Sequence, residues 1–189
     1  MEDETQTVTA FEGTQKIASG TPAEVALNVK KRGGADGTIL IFEDASGRQV
    51  DFDLSGTEAD IAARLVPAAQ RRPGRPKLGV TAREVTLLPR QWEWLARQPG
   101  GASVTLRKLV DAARSATAGR ERKRQAQEAA DRFMLAMAGD LPHYEEVARA
   151  LYAGNYQRFT ELTEGWPADV RDHARRLSEP AFDWPDGPA

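Results

Sequence analysis

Within the first 65 residues, apolar positions recur in some segments at every second residue, as in strands, and in others at every third or fourth residue, as in helices. This pattern predicts a small α+β module. In the β-rich run 48–54, Val50, Phe52 and Leu54 alternate with polar residues, which predicts a strand with one buried face and with Asp51 and Asp53 in water. Thr21-Pro22-Ala23-Glu24 has the residues of a capping box and predicts a helix to about residue 32. Thr57 is expected to cap a second helix through residue 65. Three more short strands are expected at 7–11, 16–18 and 38–43.

A strand, a short helix and a longer helix are predicted in the middle of the chain. A β-rich run covers 81–88, and Pro89 begins a helix that is expected to reach about residue 98. Pro99-Gly100-Gly101 ends this helix. A second helix is expected at 102–116, with an apolar stripe along one side and basic residues outside it.

From residue 125 onward the chain is acidic, and apolar residues recur at spacings of three and four, which predicts short amphipathic helices. One is expected to end near Gly139, the next to begin at Pro142, a third to be capped by Asn155 and the last to begin at Trp166-Pro167. Their apolar sides are expected to pack against one another, against the N-terminal module or across a dimer. A disordered tail is predicted at 180–189.

The same periodicity predicts where four ring side chains lie. Trp92 and Trp94 are two residues apart and cannot share one helix face, so one is expected in a core and the other partly exposed. His143 lies at a predicted helix start, and His173 lies on the polar side of the last predicted helix. Both histidines are therefore expected at the surface.

Charge is segregated along the chain. Between Arg71 and Arg124 lie 14 of the 26 Lys and Arg residues against four acidic residues, a net charge of +10, whereas the rest of the chain carries −12. A positive surface of this size attracts polyanions, so DNA is the first partner to consider. The alternative is that the acidic parts of the chain neutralise this positive segment within the protein, as in a protein-interaction or adaptor module.

Composition divides the chain into five parts. They are an acidic α+β module at 1–69, a basic Pro/Gly linker at 70–79, a strand-helix-helix segment at 80–118, an acidic helical region at 119–179 and a tail at 180–189.

The basic linker resembles an AT-hook. Gly74-Arg75-Pro76 matches the core of that motif, which lies extended in the minor groove of A·T-rich DNA, whereas Pro73 stands where the motif has an arginine. Two prolines and a glycine exclude a regular helix at 71–77. The four basic residues of this segment are therefore expected to contact either the minor groove or phosphates alone.

The strand-helix-helix segment resembles a ribbon-helix-helix DNA-binding fold. Val85-Thr86-Leu87-Leu88-Pro89 is similar to the strand and proline of that family, and Gly101-Ala102-Ser103 is similar to its turn into the second helix. The resemblance implies a homodimer that pairs its strands at 83–88 in the major groove and holds a phosphate at the start of the second helix. A helix-turn-helix is the alternative, with 91–98 as the supporting helix and 103–114 as the recognition helix.

Both alternatives place the same basic residues at double-stranded DNA. The predicted DNA contacts are Arg71, Arg72, Arg75, Lys77, Arg83, Thr86, Arg90, Ser103, Thr105, Arg107 and Lys108.

Along nearly its full length the chain is similar to an uncharacterised bacterial family, the domain of unknown function DUF2239. The similarity rests on several segments, among them Arg83-Glu84-Val85-Thr86-Leu87-Leu88-Pro89-Arg90, Ala138-Gly139-Asp140-Leu141-Pro142 and Trp166-Pro167-Ala168-Asp169-Val170-Arg171. It implies no activity and no catalytic residues, so the function has to be inferred from the residues themselves.

The sequence contains no motif of an enzyme, a metal site or a cofactor site. It has no cysteine, no Gly-rich phosphate loop, no Gly-x-Ser-x-Gly and no His-Glu-x-x-His. No apolar run is long enough to span a membrane, and the start of the chain lacks the features of a signal peptide. The chain is therefore predicted to be a cytoplasmic, nucleoid-associated, non-enzymatic DNA-binding protein, a dimeric transcriptional regulator without a cofactor.

Overall fold

The computed structural model describes residues 6–33, 39–65 and 83–182. Among these, the residues between 6 and 65 together with 120–182 form one unit, which we call the core unit, and residues 83–119 form a second, which we call the basic unit. No helix of the described ranges is both long and apolar enough to cross a membrane. The predicted linker at 70–79, with its AT-hook-like segment, lies outside the described residues.

The core unit begins with a four-stranded antiparallel sheet, which confirms the predicted α+β class. Ala10 pairs with Ala18 on one side and with Ile41 on the other, so the first strand lies inside the sheet. The strands, in the spatial order β2-β1-β3-β4, are β1 (Val8–Glu12), β2 (Gln15–Gly20), β3 (Ile39–Glu43) and β4 (Gln49–Val50).

Helix α1 (Pro22–Lys31) packs on one face of the sheet. The Thr21 hydroxyl accepts a hydrogen bond from the Glu24 amide, and the Glu24 carboxylate accepts one from the Thr21 amide, so the predicted capping box is confirmed. Because side chains alternate along a strand, every second residue of β1 and β3 faces this helix. The buried cluster on this face consists of Val8, Ala10, Val25, Val29 and Ile41.

Helix α2 (Glu58–Leu65) begins as predicted after Thr57, whose hydroxyl accepts a hydrogen bond from the amide three residues later. The strand predicted at 48–54 is shorter than expected, because only Gln49–Val50 pairs with β3. Asp53 accepts hydrogen bonds from the amide and the hydroxyl of Ser55, and such local bonds compete with strand pairing. The alternation itself is confirmed, since positions 50, 52 and 54 are partly buried while 51 and 53 are exposed.

From Pro89 onward the described chain consists of helices and the turns between them. Helix α3 (Pro89–Ala96) lies in the basic unit, and helix α4 (Gly101–Ala138) contributes residues to both units. The helix predicted at 102–116 is therefore too short: α4 has 38 residues and continues through Gly119. The core unit also contains α5 (Tyr144–Tyr152), α6 (Tyr156–Thr163), α7 (Ala168–Ser178) and a short 3-10 helix (Glu179–Ala181).

The helices of the core unit pack on one another and on the second face of the sheet, two of the arrangements that the sequence left open. Phe11 of β1 and Phe42 of β3 are fully buried against Phe133 of α4, with ring centroids 5.4 and 5.1 Å apart. The same cluster includes Val147, Leu151, Phe159, Val170 and Leu177 from α5, α6 and α7.

Two predicted boundaries near the C-terminus are wrong. Helix α5 begins at Tyr144 rather than Pro142, because His143 has a positive φ of 65° that does not fit a helix. The predicted tail begins too early, because Ala181 and Phe182 are buried and Phe182 packs on Phe159 with ring centroids 5.3 Å apart. Residues 183–189 lie outside the described ranges.

Candidate functional site

The strand predicted at 81–88 is not formed in the described part of this segment. Residues 83–88 have no regular secondary structure, although Leu88 is extended with φ −65° and ψ 148°. A strand needs a partner for its backbone hydrogen bonds, and no strand of the described chain pairs with these residues. Arg83 and Thr86, two predicted DNA contacts, are exposed here. The single chain therefore has no strand at 83–88, pairing of this segment across a dimer stays a prediction, and nothing in this segment supports the ribbon-helix-helix resemblance.

Helix α3 exposes both of its tryptophans. It begins at Pro89, as predicted. Leu95 is only 2% exposed, whereas Trp92 is 42% and Trp94 is 49% exposed. The prediction that one tryptophan lies in a core is wrong, because Leu95 takes the buried position of this short helix.

An open apolar groove of about 240 Å³ lies on the basic unit. Leu87 before α3, Trp94 on α3, and Leu106 and Leu109 on α4 line it, together with Arg90. The groove thus joins apolar side chains to one of the predicted DNA contacts.

The first half of α4 carries the predicted recognition residues. Ser103, Arg107 and Lys108 are exposed, and Thr105 is partly buried. Every residue from 107 to 117 is exposed, so no described part of the protein covers this stretch. Arg114 follows Arg107 by two turns and lies on the same side of the helix, roughly 10 Å further along its axis.

Farther along α4, an arginine is paired with neighbouring carboxylates of the same helix. Arg124 forms ion pairs with Glu121 at 2.6 Å and with Glu128. The hydrogen bond to Glu121 raises the pKa of Arg124, and the same bond lowers the pKa of Glu121. No described residue forms an ion pair with Arg107, Lys108 or Arg114, so the exposed half of the helix keeps its positive charge.

The structure describes seven of the eleven predicted contact residues, and all seven belong to the basic unit. The other four, in the linker, lie outside the described residues: Arg71, Arg72, Arg75 and Lys77.

The core unit contains a buried polar cluster that the sequence pattern does not predict. His173, expected at the surface, is 3% exposed and packs against the rings of Phe11 and Phe133, with centroids 5.2 and 4.4 Å away. That prediction is wrong because His173 lies on the buried side of α7. Its spacing of three from the apolar Val170 is the signal that indicates this position.

Asp44 is the centre of this cluster. It accepts hydrogen bonds from the hydroxyls of Thr7 and Thr9, both at 2.8 Å, and pairs with Nη2 of Arg176 at 3.1 Å. Burial opposes ionisation of Asp44, but these hydrogen bonds and the guanidinium charge outweigh burial and lower the pKa of its carboxyl. Arg176 also donates to Nδ1 of His173 at 3.0 Å. Burial and the charge of Arg176 lower the pKa of His173 to about 4, so this imidazole is neutral at neutral pH.

Comparison with known proteins yields one match. The family described as "Uncharacterized protein conserved in bacteria (DUF2239)" has a model that matches residues 7–178. The matched range includes the basic unit and nearly all described residues of the core unit. No curated protein and no solved structure matches the chain.

Proposed function

Because the chain belongs to the bacterial family DUF2239, whose description assigns no activity, we propose a function from the geometry: this protein is a dimeric DNA-binding regulator of transcription. The observation that carries the proposal is the exposed first half of α4, where Arg107, Lys108 and Arg114 project from a stretch whose residues 107–117 are all exposed. An α-helix is about 10–12 Å across with its side chains, which fits a major groove roughly 12 Å wide.

The distribution of charge supports DNA as the partner. The whole chain has a net charge of only −2, but the stretch between Arg71 and Arg124 carries +10. Basic side chains that bind phosphates release condensed counterions, and this release supplies most of the sequence-independent affinity for DNA. Segregation of charge along the chain therefore favours polyanion binding by the middle of the molecule rather than by its acidic parts.

A second copy of the chain is the proposed partner of the basic unit's apolar surface. Within 83–119 only Leu95 is buried. Contiguous apolar surface is uncommon on soluble monomers and marks interaction sites. A second copy that pairs along 83–88 would also supply the backbone partners that this extended segment lacks. Six large apolar side chains of the unit are 42–55% exposed: Val85, Leu88, Trp92, Trp94, Leu109 and Val110.

Two arrangements on DNA are compatible with the proposal. In a ribbon-helix-helix-like dimer the paired segments at 83–88 enter the major groove, and the start of α4 near Ser103 holds a phosphate. In a helix-turn-helix arrangement α3 supports α4, and residues 105–108 read the groove. In both, the basic residues of 71–77 add minor-groove or phosphate contacts.

Fluorescence anisotropy with random and A·T-rich labelled duplexes over a salt series tests the proposal, with light scattering on the same sample for mass. We expect a dimer whose affinity falls steeply as salt rises. The double variant Arg107→Gln/Lys108→Gln should bind a preferred duplex about tenfold more weakly, since it loses two phosphate or base contacts. Arg149→Gln/Arg158→Gln is the matched control, because it removes the same charge from exposed, ion-paired arginines of α5 and α6 and should bind like the wild type.

A third variant, in the linker, separates sequence-specific contacts to bases from electrostatic attraction to phosphates. Replacing Arg72, Arg75 and Lys77 with Ala should weaken binding to all sequences alike, because phosphate contacts carry no sequence information. The regulator proposal is overturned if the wild type has no duplex affinity at low salt, or if the control double variant loses as much affinity as Arg107→Gln/Lys108→Gln.

A protein-interaction or adaptor module is the second candidate function, favoured by the exposed tryptophans and by the groove next to Arg90. Trp and Arg are the residue types that most often carry the binding energy of protein interfaces. The duplex titration separates the two candidates, because an adaptor would show no duplex affinity even at low salt.

A further inference from the structure

An open cleft of about 600 Å³ lies in the core unit beside the buried polar cluster. Cavities of this size are typical of sites for small molecules. The side chains come from the start of the chain, from the β3–β4 connection, from α4 and from the end of α7. Its lining includes Thr7, Asp44, Arg122, Gln125, Arg176 and Leu177.

Two walls of the cleft are fixed to each other. Gly47, with φ 66°, brings the β3–β4 connection so close to α4 that a Cβ at this position would lie 1.9 Å from the carbonyl oxygen of Ala129. Nη1 of Arg132 donates to the carbonyl oxygen of Ser46 at 2.9 Å. Asp44, on this connection, is therefore held at a defined distance from the α4 residues of the cleft.

Two guanidinium groups border the cleft with N–H donors available. Within the described residues Arg176 makes its bonds through Nη2 alone, to Asp44, His173 and Thr9 at 3.1, 3.0 and 3.4 Å. Its side chain is 50% exposed. Arg122 is exposed and forms no ion pair with any described residue. Because a guanidinium carries five N–H donors, both groups have donors to offer to a ligand.

The chemistry of the lining favours an anion. Two arginines face one carboxylate, so the charged side chains of the lining sum to +1, and the carboxylate of Asp44 is already engaged by its own donors. Next to these groups the lining is apolar, with Ala126, Ala129 and Leu177. A guanidinium binds carboxylate and phosphate oxygens through parallel hydrogen bonds.

His173, the buried neighbour of Asp44 and Arg176, holds a polar atom without a partner among the described residues. Since Arg176 donates to Nδ1, the proton of the neutral imidazole lies on Nε2. Nε2 is buried, has no hydrogen-bond partner among the described residues, and lies 3.7 Å from Oδ1 of Asp44. A buried N–H group without an acceptor costs free energy, so this state of the cluster leaves one donor to be satisfied.

We propose that this cleft binds a small organic anion, with its carboxylate or phosphate between Arg122 and Arg176 and its apolar part against Ala126 and Leu177. When the anion takes Nη2 of Arg176, Oδ1 of Asp44 loses a donor, and Nε2–H of His173 is placed to replace it. Binding thus exchanges an Asp44–Arg176 bond for an Asp44–His173 bond. This site is separate from the proposed DNA contacts and does not depend on them.

Calorimetric titration of the full chain with phenyl phosphate, benzoate and inorganic phosphate tests the site, and benzyl alcohol serves as the uncharged control. We expect at least one anion to bind with a Kd below about 1 mM, and benzyl alcohol not to bind. Arg122→Gln and Arg176→Gln should each weaken this binding at least about tenfold. Arg149→Gln, an exposed arginine of α5 that is paired with Glu145, should leave the Kd unchanged.

Nitrogen NMR of His173 adds a readout that a general loss of stability does not imitate. The Nε2–H signal should shift when the bound anion is added to the wild type, and in Arg122→Gln, whose side chain is outside the buried cluster, the same shift should need at least about tenfold more anion. The proposal is overturned if none of the three anions binds the wild type at about 10 mM, or if both variants bind as well as the wild type.

Discussion

Four phenylalanines of the core unit, at positions 11, 42, 133 and 159, are fully buried, while Trp92 and Trp94 of the basic unit are 42% and 49% exposed. The two units contain similar proportions of apolar residues. The core unit buries most of its large apolar side chains, whereas the basic unit exposes most of its own. Burial of apolar area stabilises a fold by about 25 cal/mol per Å². The core unit therefore draws its stability from its own chain, whereas the large apolar side chains of the basic unit, apart from Leu95, contribute little to its fold.

Replacing Phe133 with Ala tests the largest expected difference between the units. Its ring packs on Phe11, Phe42 and His173 with centroids 4.4–5.4 Å away. The loss of these contacts should lower the free energy of unfolding by about 3–5 kcal/mol. Leu109→Ala in the basic unit, where the side chain is 49% exposed, should lower it by less than about 1 kcal/mol. Denaturant unfolding at a protein concentration that gives a monomer measures both, and equal losses would contradict the division into a packed and an exposed unit.

Gly47→Ala and Gly101→Ala separate a steric clash from backbone strain. Both glycines have left-handed φ values, 66° and 74°. A Cβ at 47 would lie 1.9 Å from a backbone oxygen of Ala129, whereas a Cβ at 101 would have nothing within 4 Å. We expect Gly47→Ala to lower the free energy of unfolding by about 3 kcal/mol, and Gly101→Ala by about 1 kcal/mol from strain alone. Similar losses in the two variants would show that the β3–β4 connection is free to move away from α4.

His173 should make the stability of the core unit depend on pH. The pKa of His173 is lowered from its usual 6.5 to about 4, because burial and the charge of Arg176 disfavour the imidazolium. The unfolded chain therefore takes up a proton below pH 6.5 that the folded chain does not. The stability from neutral His173 is present above pH 6.5 and is lost as the pH falls towards 4, by about 3 kcal/mol in total.

Unfolding by urea at a series of pH values measures this loss in two variants. His173→Gln should remove the decline between pH 6.5 and 4, while His143→Gln should keep it. The lowered carboxyl pKa of Asp44 acts in a lower window, since its contribution is present above its usual 3.8 and is lost as the pH falls further. A decline of equal size in both variants would mean that His173 is not the group responsible.

Local signals in the sequence predicted much of the core unit. The caps at Thr21 and Asn155 each involve an amide three residues away, so the relevant contacts are visible in the sequence itself. The full length of α4 is a different case. Gly119 disfavours a helix by about 1 kcal/mol, but the helix-forming residues on both sides continue the hydrogen-bond ladder through it. The predicted end near residue 116 is therefore wrong because the helix propensity of these neighbours outweighs the cost of one glycine.

The two candidate sites also differ in how far the sequence predicts them. The exposure of Arg107 and Lys108 follows from the amphipathic pattern of α4, and their binding to DNA stays a prediction. The cluster around Asp44 depends on tertiary packing, which brings a residue after β3 to the end of α7. A pattern that counts His173 as polar places it at the surface, because the pattern does not show the acidic and basic partners that make its burial possible.

Trp94→Ala should have the smallest effect on folding and the clearest effect on association. The side chain is 49% exposed and lines the groove of the basic unit, so its loss should change the free energy of unfolding of the monomer by less than about 0.5 kcal/mol. If a second copy covers this surface, the dissociation constant of the dimer should rise at least about tenfold, because tryptophans at interface centres carry much of the binding energy. Leu135→Ala is the matched control, since it removes a 64% exposed leucine from the core unit's part of α4 and should change neither quantity. Light scattering over a dilution series measures the association. A wild type that stays monomeric, or equal effects of the two variants, would assign the apolar surface of the basic unit to a different partner protein.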